Sequence, residues 1–123
     1  KDSKQKDVYK KSVAHMVRRL LKGFNSTIFA YGQTSSGKTH TMMGVLQDKE
    51  LEGITPRLIR SLFNQIEKGR EKGNTFLITL SYLEIYNERV YDLLGARKRS
   101  NKPRESLQIR QLKQGFHVPK LTK

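Results

Sequence analysis

The stretch that decides the fold is Thr27-Ile28-Phe29-Ala30-Tyr31, followed without a gap by Gly32-Gln33-Thr34-Ser35-Ser36-Gly37-Lys38-Thr39. The first part is β-branched and aromatic with no polar alternation and stops at glycine, which predicts a strand buried on both faces of a parallel sheet. The second part matches the phosphate-binding pattern G-x-x-x-x-G-K-[ST]. The glycines let the backbone curl so that successive N–H groups face an anion, and the helix that follows presents its positive end to it. Lys38 is placed to reach the β- and γ-phosphates of a nucleotide, and the Thr39 hydroxyl to ligate Mg²⁺. A Gly/Ser surface turn with a stray lysine would leave the apolar strand leading into it unexplained. The expectation is an α/β nucleotide-binding domain.

Upstream, Tyr9, Val13, Met16, Val17, Leu20, Leu21 and Phe24 form an apolar stripe at helical spacing, ended by Gly23. Downstream, residues 38–43 open a helix that Gly44 and Gln47-Asp48-Lys49-Glu50 interrupt, which places a surface loop at residues 45–53. Thr55 and Pro56 read as N-cap and first helical residue of a further helix, whose stripe Leu58, Ile59, Leu62, Phe63, Ile66 runs to Gly69. Residues 75–86 read as a long strand with Phe76, Ile78, Leu80 and Tyr82 on the core face. Residues 87–94 are expected to turn and carry Val90, Leu93 and Leu94 inward. Residues 96–105, including Arg97-Lys98-Arg99, have nothing to bury and read as an exposed basic loop. Leu107, Ile109, Phe116 and Val118 alternate with polar residues around Lys113-Gln114-Gly115, a hairpin pattern, with Pro119 suited to an edge strand.

The chain has 123 residues, enough for one domain or part of one. It carries 25 Lys+Arg against 11 Asp+Glu, a formal charge of +14, so nonspecific attraction to polyanions is expected at low salt. The excess is concentrated in residues 97–123, where nine Lys/Arg face the single acid Glu105. With no cysteine, disulfides, thiolate metal sites and a cysteine nucleophile are excluded. No apolar run approaches the roughly 18 to 20 residues that span a bilayer, so no membrane partner is expected. The first residue is not Met and the last lies within a strand-like pattern, so the reading expects a piece of a larger domain.

Residues 25–44, Asn25-Ser26-Thr27-Ile28-Phe29-Ala30-Tyr31-Gly32-Gln33-Thr34-Ser35-Ser36-Gly37-Lys38-Thr39-His40-Thr41-Met42-Met43-Gly44, resemble the ATP-loop signature of kinesin motor domains. Gly53-Ile54-Thr55-Pro56-Arg57 resembles the family's helix restart, and residues 81–94, from Ser81-Tyr82-Leu83-Glu84 to Asp92-Leu93-Leu94, its following strand and turn. Order and spacing agree over nearly the whole chain, residues 96–105 being the least family-like. The resemblance implies an incomplete kinesin motor domain: a P-loop NTPase-type doubly wound α/β sheet with flanking helices, using ATP and Mg²⁺ to move along microtubules in the cytoplasm and cytoskeleton. Gln33, Thr34, Ser35, Ser36, Gly37, Lys38 and Thr39 would wrap the phosphates from Gly32 onward, and Thr39 would hold Mg²⁺ through the nucleotide. His40 matches the position beside the adenine. Arg110, Lys113 and Lys120 on the hairpin match a region expected to touch tubulin, although a solvated basic edge reads equally well from the residues.

The family's Asn-x-x-Ser-Ser-Arg-Ser-His and Asp-Leu-Ala-Gly-Ser-Glu motifs, which position the attacking water and support Mg²⁺, do not occur here. No catalytic residue is therefore assigned within the chain, and on its own it is expected to be inactive. Glu84, at the end of an apolar strand, reads as structural. Asp92 reads as a turn residue or a partner for Arg89, and His15 and His117 as half-buried structural histidines. Two other readings stay open on the residues alone: a basic nucleic-acid-binding module, disfavoured by the lack of an exposed aromatic array, and another P-loop NTPase such as a small kinase.

Overall fold

The structure, a computed structural model, describes residues 3–95 and 105–123, and these fall into two units, Lys1–Phe76 and Leu77–Lys123. Most of the expected basic loop, residues 96–104, lies outside the described residues.

In the first unit the amino-terminal stripe forms two helices rather than one, α1 (Gln5–Ser12) and α2 (Ala14–Leu21). The break falls at Val13, with φ −125° and ψ −32°. Its N–H donates to the Tyr9 carbonyl at 2.9 Å, and its own carbonyl accepts from Met16 N–H at 2.8 Å, a tight turn that lets the apolar stripe run on. Periodicity alone cannot see such a joint, because Val13 and Val17 stay buried on the same side. The end of α2 is closed by paired hydrogen bonds, Gly23 N–H to Leu20 and Phe24 N–H to Arg19, as the glycine predicts.

Helix α3 (Lys38–Met42) and helix α4 (Ile54–Arg70) flank the expected loop. The loop is pinched shut where it begins: Gly44 bridges Glu52, Val45 N–H donates to the Leu51 carbonyl at 3.1 Å, and Gly53 N–H donates to Met43 at 2.9 Å. Gly44 has φ +65°, and a Cβ there would collide with the Leu51 carbonyl and the Gly53 amide, so the closure requires glycine. Gly53, not Thr55, holds the N-cap position of α4, and Thr55 and Pro56 lie inside its first turn. There the missing proline N–H costs nothing, since first-turn N–H groups have no helical acceptor. Helix α4 buries Ile54 and Ile66, and α1, α2 and α3 all pack against it.

Residues 27–31 follow an extended path, yet they pair with no strand among the described residues, and Phe29 and Tyr31 are 89% and 100% exposed. The expected burial on both faces is therefore not met among the described residues. A central strand is buried by partners on both edges and layers on both sides, and the described residues supply neither. The same holds for residues 75–82, whose intended core face leaves Ile78, Leu80 and Tyr82 exposed. Phe76 alone finds a seat, its ring lying so close over Gly69 that a Cβ there would be 2.6 Å from it.

In the second unit, β1 (Leu83–Tyr86) and β2 (Arg89–Asp92) form an antiparallel hairpin with Leu83 opposite Asp92. The expected turn narrows to Asn87 and Glu88, both with positive φ, as two-residue hairpin turns require. Val90 points inward at 3% exposure, Leu93 is half-buried and Leu94 is exposed, so that triplet is corrected to its first two members. The second hairpin pairs β3 (Arg110–Leu112) with β4 (Gly115–His117), as the alternation predicts, and Leu107 N–H reaches Val90 at 2.8 Å. Asp92 ends β2 rather than lying in the turn, and its carboxylate caps the bend that follows, accepting from Leu94 and Gly95 N–H, and also from Thr122 N–H at 2.9 Å. These donors hold the Asp92 carboxyl down at about 2, the Thr122 bonds being the largest cause. Among the described residues no ion pair joins it to Arg89. His15 and His117 are exposed rather than half-buried, each sitting on a helix or hairpin face with no layer over it. Among the described residues no helix is long and apolar enough to cross a membrane.

Candidate phosphate-binding loop

Residues 32–37 leave the extended segment, turn and enter α3. Ser36 N–H closes the turn onto the Gln33 carbonyl at 3.2 Å, and Ser35 takes a positive φ of 65°. Gly37, with φ +90°, precedes the helix in a conformation that L side chains avoid, while the space beside it is open. The need for glycine rests here on backbone conformation, not on a neighbouring wall of protein. Gly32 is different, because a Cβ on it would lie 2.5 Å from Ser36 Oγ.

Lys38 folds back over the loop it follows. Its ammonium donates to the Gly32 carbonyl at 2.8 Å and the Gln33 carbonyl at 2.6 Å. The positive charge is thus parked at the mouth of the loop by two backbone dipoles, where an anion would meet it. Gln33, Thr34, Ser35, Ser36, Thr39 and His40 are exposed, and Gly32 and Lys38 are half-buried, so the sequence-predicted set comes together on one open loop and the first turns of α3. Among the described residues no three of His, Cys, Asp and Glu cluster as metal ligands, and the side-chain oxygens at this loop are those of Gln33, Thr34, Ser35, Ser36 and Thr39.

Three supporting contacts were not legible. The buried Gln5 amide donates to the His40 carbonyl at 2.6 Å, joining the start of α1 to α3. Arg57 donates to the backbone carbonyls of Glu52 at 2.9 Å, Lys49 at 2.5 Å and Glu50 at 3.1 Å, gripping the loop of residues 45–53 from α4. Arg60 makes a two-pronged ion pair with Glu52, at 2.8 and 2.6 Å, which lowers the Glu52 carboxyl from its ordinary value and raises the Arg60 guanidinium. The only sequence signal for Gln5 was its place four residues before Tyr9 and eight before Val13, on the same helical face. Glu84 lies exposed in β1 opposite Tyr91 and belongs to no cluster of three His, Cys, Asp or Glu among the described residues. Arg110, Lys113 and Lys120 are exposed in the second unit.

A family model described as the kinesin motor domain matches residues 1–123. The kinesin heavy chain of Caenorhabditis elegans is 51% identical over 94 residues, covering 76% of this chain and 11% of that one. The kinesin-like protein KIF3C of Pongo abelii is 40% identical over 109 residues, covering 89% of this chain and 13% of that one. Among solved structures, a fast kinesin superposes with a TM-score of 0.77 at 34% identity, covering 97% of this chain and 32% of that chain. A KIF14 dimer solved with AMP-PNP in complex with a microtubule superposes with a TM-score of 0.80 at 34% identity, covering 98% and 32%. These likenesses place the helices, loop and hairpins within the P-loop NTPase fold, of which this chain is a partial α/β set. The chain spans about a third of the solved chains and about a tenth of the heavy chains it matches.

Proposed function

The chain belongs to the kinesin motor domain family, and from that premise we propose that it is the ATP-binding portion of a motor that couples ATP hydrolysis to movement along microtubules. The observation that carries the reading is Lys38, held by Gly32 and Gln33 over a loop with open space beside Gly37. In this reading residues 33–39 wrap the phosphates, Lys38 exchanges carbonyl partners for β- and γ-phosphate oxygens, and His40 lies beside the adenine. Mg²⁺ would be held by phosphate oxygens and the exposed Thr39 hydroxyl, a donor set that suits a hard cation bound mainly through its nucleotide. The metal would supply charge neutralisation at the phosphates. The acid and water-positioning groups of hydrolysis are not assigned to any residue here, so the 123 residues alone bind nucleotide without turning it over.

The microtubule is the proposed partner, and the exposed cations Arg110, Lys113 and Lys120 of the second unit are the proposed contacts to its acidic surface. The cytoplasmic cytoskeleton is the corresponding location. The test is titration of the full chain with a fluorescent ATP analogue, with unlabelled ATP and a single-stranded RNA as competitors. Displacement by ATP and Mg²⁺ at moderate salt supports the reading. Displacement by RNA alone, with affinity falling steeply as salt rises, would replace it with the nucleic-acid module.

A further inference from the structure

Helix α3 is only five residues long, and its last turn is irregular. Met43 and Gly44 N–H both donate to the same Thr39 carbonyl, at 2.8 and 3.2 Å. The Gly44 N–H is the group that would close a regular helical bond onto His40. It is diverted because Gly44 turns away at φ +65° to bridge Glu52. The His40 carbonyl is therefore left over by its own helix, and it is satisfied from outside by Gln5, 35 residues earlier, at 2.6 Å. Only the amide NH₂ of Gln5 can face a carbonyl, so the side-chain orientation is fixed by chemistry. Gln5 is one of two buried polar residues among the described residues, which makes this bond costly to lose.

The two ends of the nucleotide loop are thus restrained separately. The phosphate end is tied within itself, by Lys38 on Gly32 and Gln33. The far end, at His40, is tied to α1. We propose that Gln5 is a positioning residue for nucleotide recognition: by holding the His40 carbonyl it fixes the part of α3 that faces the base, while leaving the phosphate cradle to Lys38. The proposal rests on the reading of residues 32–40 as the ATP site, with His40 on the adenine side.

The experiment compares ATP with inorganic tripolyphosphate, which has the phosphates and no base, in the full chain carrying Gln5→Met, Gln5→Glu or Gln5→Lys. Met removes the donor at similar volume, Glu replaces it with an acceptor facing an acceptor, and Lys restores a donor. The expected result is ATP affinity weakened about 5- to 10-fold by Gln5→Met, the scale of one buried hydrogen bond. Gln5→Glu should weaken it further and Gln5→Lys recover part of it, while tripolyphosphate affinity stays within about 2-fold of the unmodified chain. A purely structural role gives the opposite order, because Met suits a buried site better than Lys, and it moves both ligands together. Equal changes for ATP and tripolyphosphate, or the volume order in place of the donor order, would overturn the proposal. If the unmodified chain binds neither ligand, the nucleotide-site reading itself fails, and the assignment of Gln5 falls with it.

Discussion

Arg60, in the second turn of α4, holds both carboxylate oxygens of Glu52, the buried next-to-last residue of the loop that separates α3 from α4. The pair fixes the loop to the helix it leads into, and Arg57 adds three carbonyl contacts from the same helix. Because the folded-state carboxyl of Glu52 lies below its ordinary value, its stabilising effect is present above the ordinary carboxylate range and is lost as pH falls through the lowered value. Thermal unfolding followed from pH 7 down to pH 3 should show a drop in Tm that Glu52→Gln makes smaller, the variant starting lower at neutral pH. Parallel curves for the two chains would show that the ion pair contributes nothing.

Lys38→Ala removes both the charge and the two loop contacts. Loss of a charge-assisted hydrogen bond to phosphate predicts ATP affinity weaker by about 10- to 100-fold, measured by titration with a fluorescent nucleotide. Lys38→Arg should rescue little, since the planar fork does not reproduce an ammonium pointed at two carbonyls.

Gly44→Ala tests the pinch at the base of the loop. A methyl group meets backbone on the other side, with no flexible side chain to yield, and the backbone is in the left-handed region. The expected cost is about 1–3 kcal/mol, read as a lower urea midpoint at unchanged slope. A midpoint equal to that of the unmodified chain would mean that the two legs of the loop do not approach as described.

Asp92→Ala frees three amides at once, those of Leu94, Gly95 and Thr122. Hydrogen exchange at Thr122 should accelerate toward the rate of an open terminus, while exchange in α4 is unchanged. In the unmodified chain the clasp is expected to persist well below pH 3.8 and to fade as pH approaches about 2, because the depressed carboxyl stabilises the fold above its unfolded value and loses that effect on protonation.

For the partner, Arg110→Ala, Lys113→Ala and Lys120→Ala combined should weaken microtubule co-sedimentation of the full chain and flatten its salt dependence. Unchanged binding at every salt concentration would reduce the three cations to a solvated edge.

The turn of residues 32–37 into α3 was legible because the motif dictates residue types at fixed spacing, and α4 because a long apolar stripe dominates its local choices. The joint at Val13 escaped because a tight turn preserves the stripe that periodicity detects. Residues 27–31 show the limit from the other side. Their composition reads as a buried strand, but Phe29 and Tyr31 are exposed because the described residues do not supply the neighbours that bury one. Gln5 and Glu52 were illegible for a different reason: each is a polar group whose partner is set by tertiary geometry, the carbonyl of His40 in one case and the guanidinium of Arg60 in the other. Even the N-cap shifted to Gly53, because closing the loop onto Met43 mattered more than the preference of Thr55 for a cap.

The bridge between Gly44 and Glu52 brings the two feet of the intervening loop together, so the axis from α3 to α4 does not pass through the loop's tip. Its length is therefore decoupled from the alignment of the two helices, and lengthening a closed loop costs only about 0.6 kcal/mol per doubling. The bond between Leu46 and Gln47, exposed and outside the three carbonyls that Arg57 holds, is a natural port for splicing in a peptide tag or a fluorophore. A reporter placed there would sit between α3 and α4 in the chain while leaving residues 32–39 unaltered.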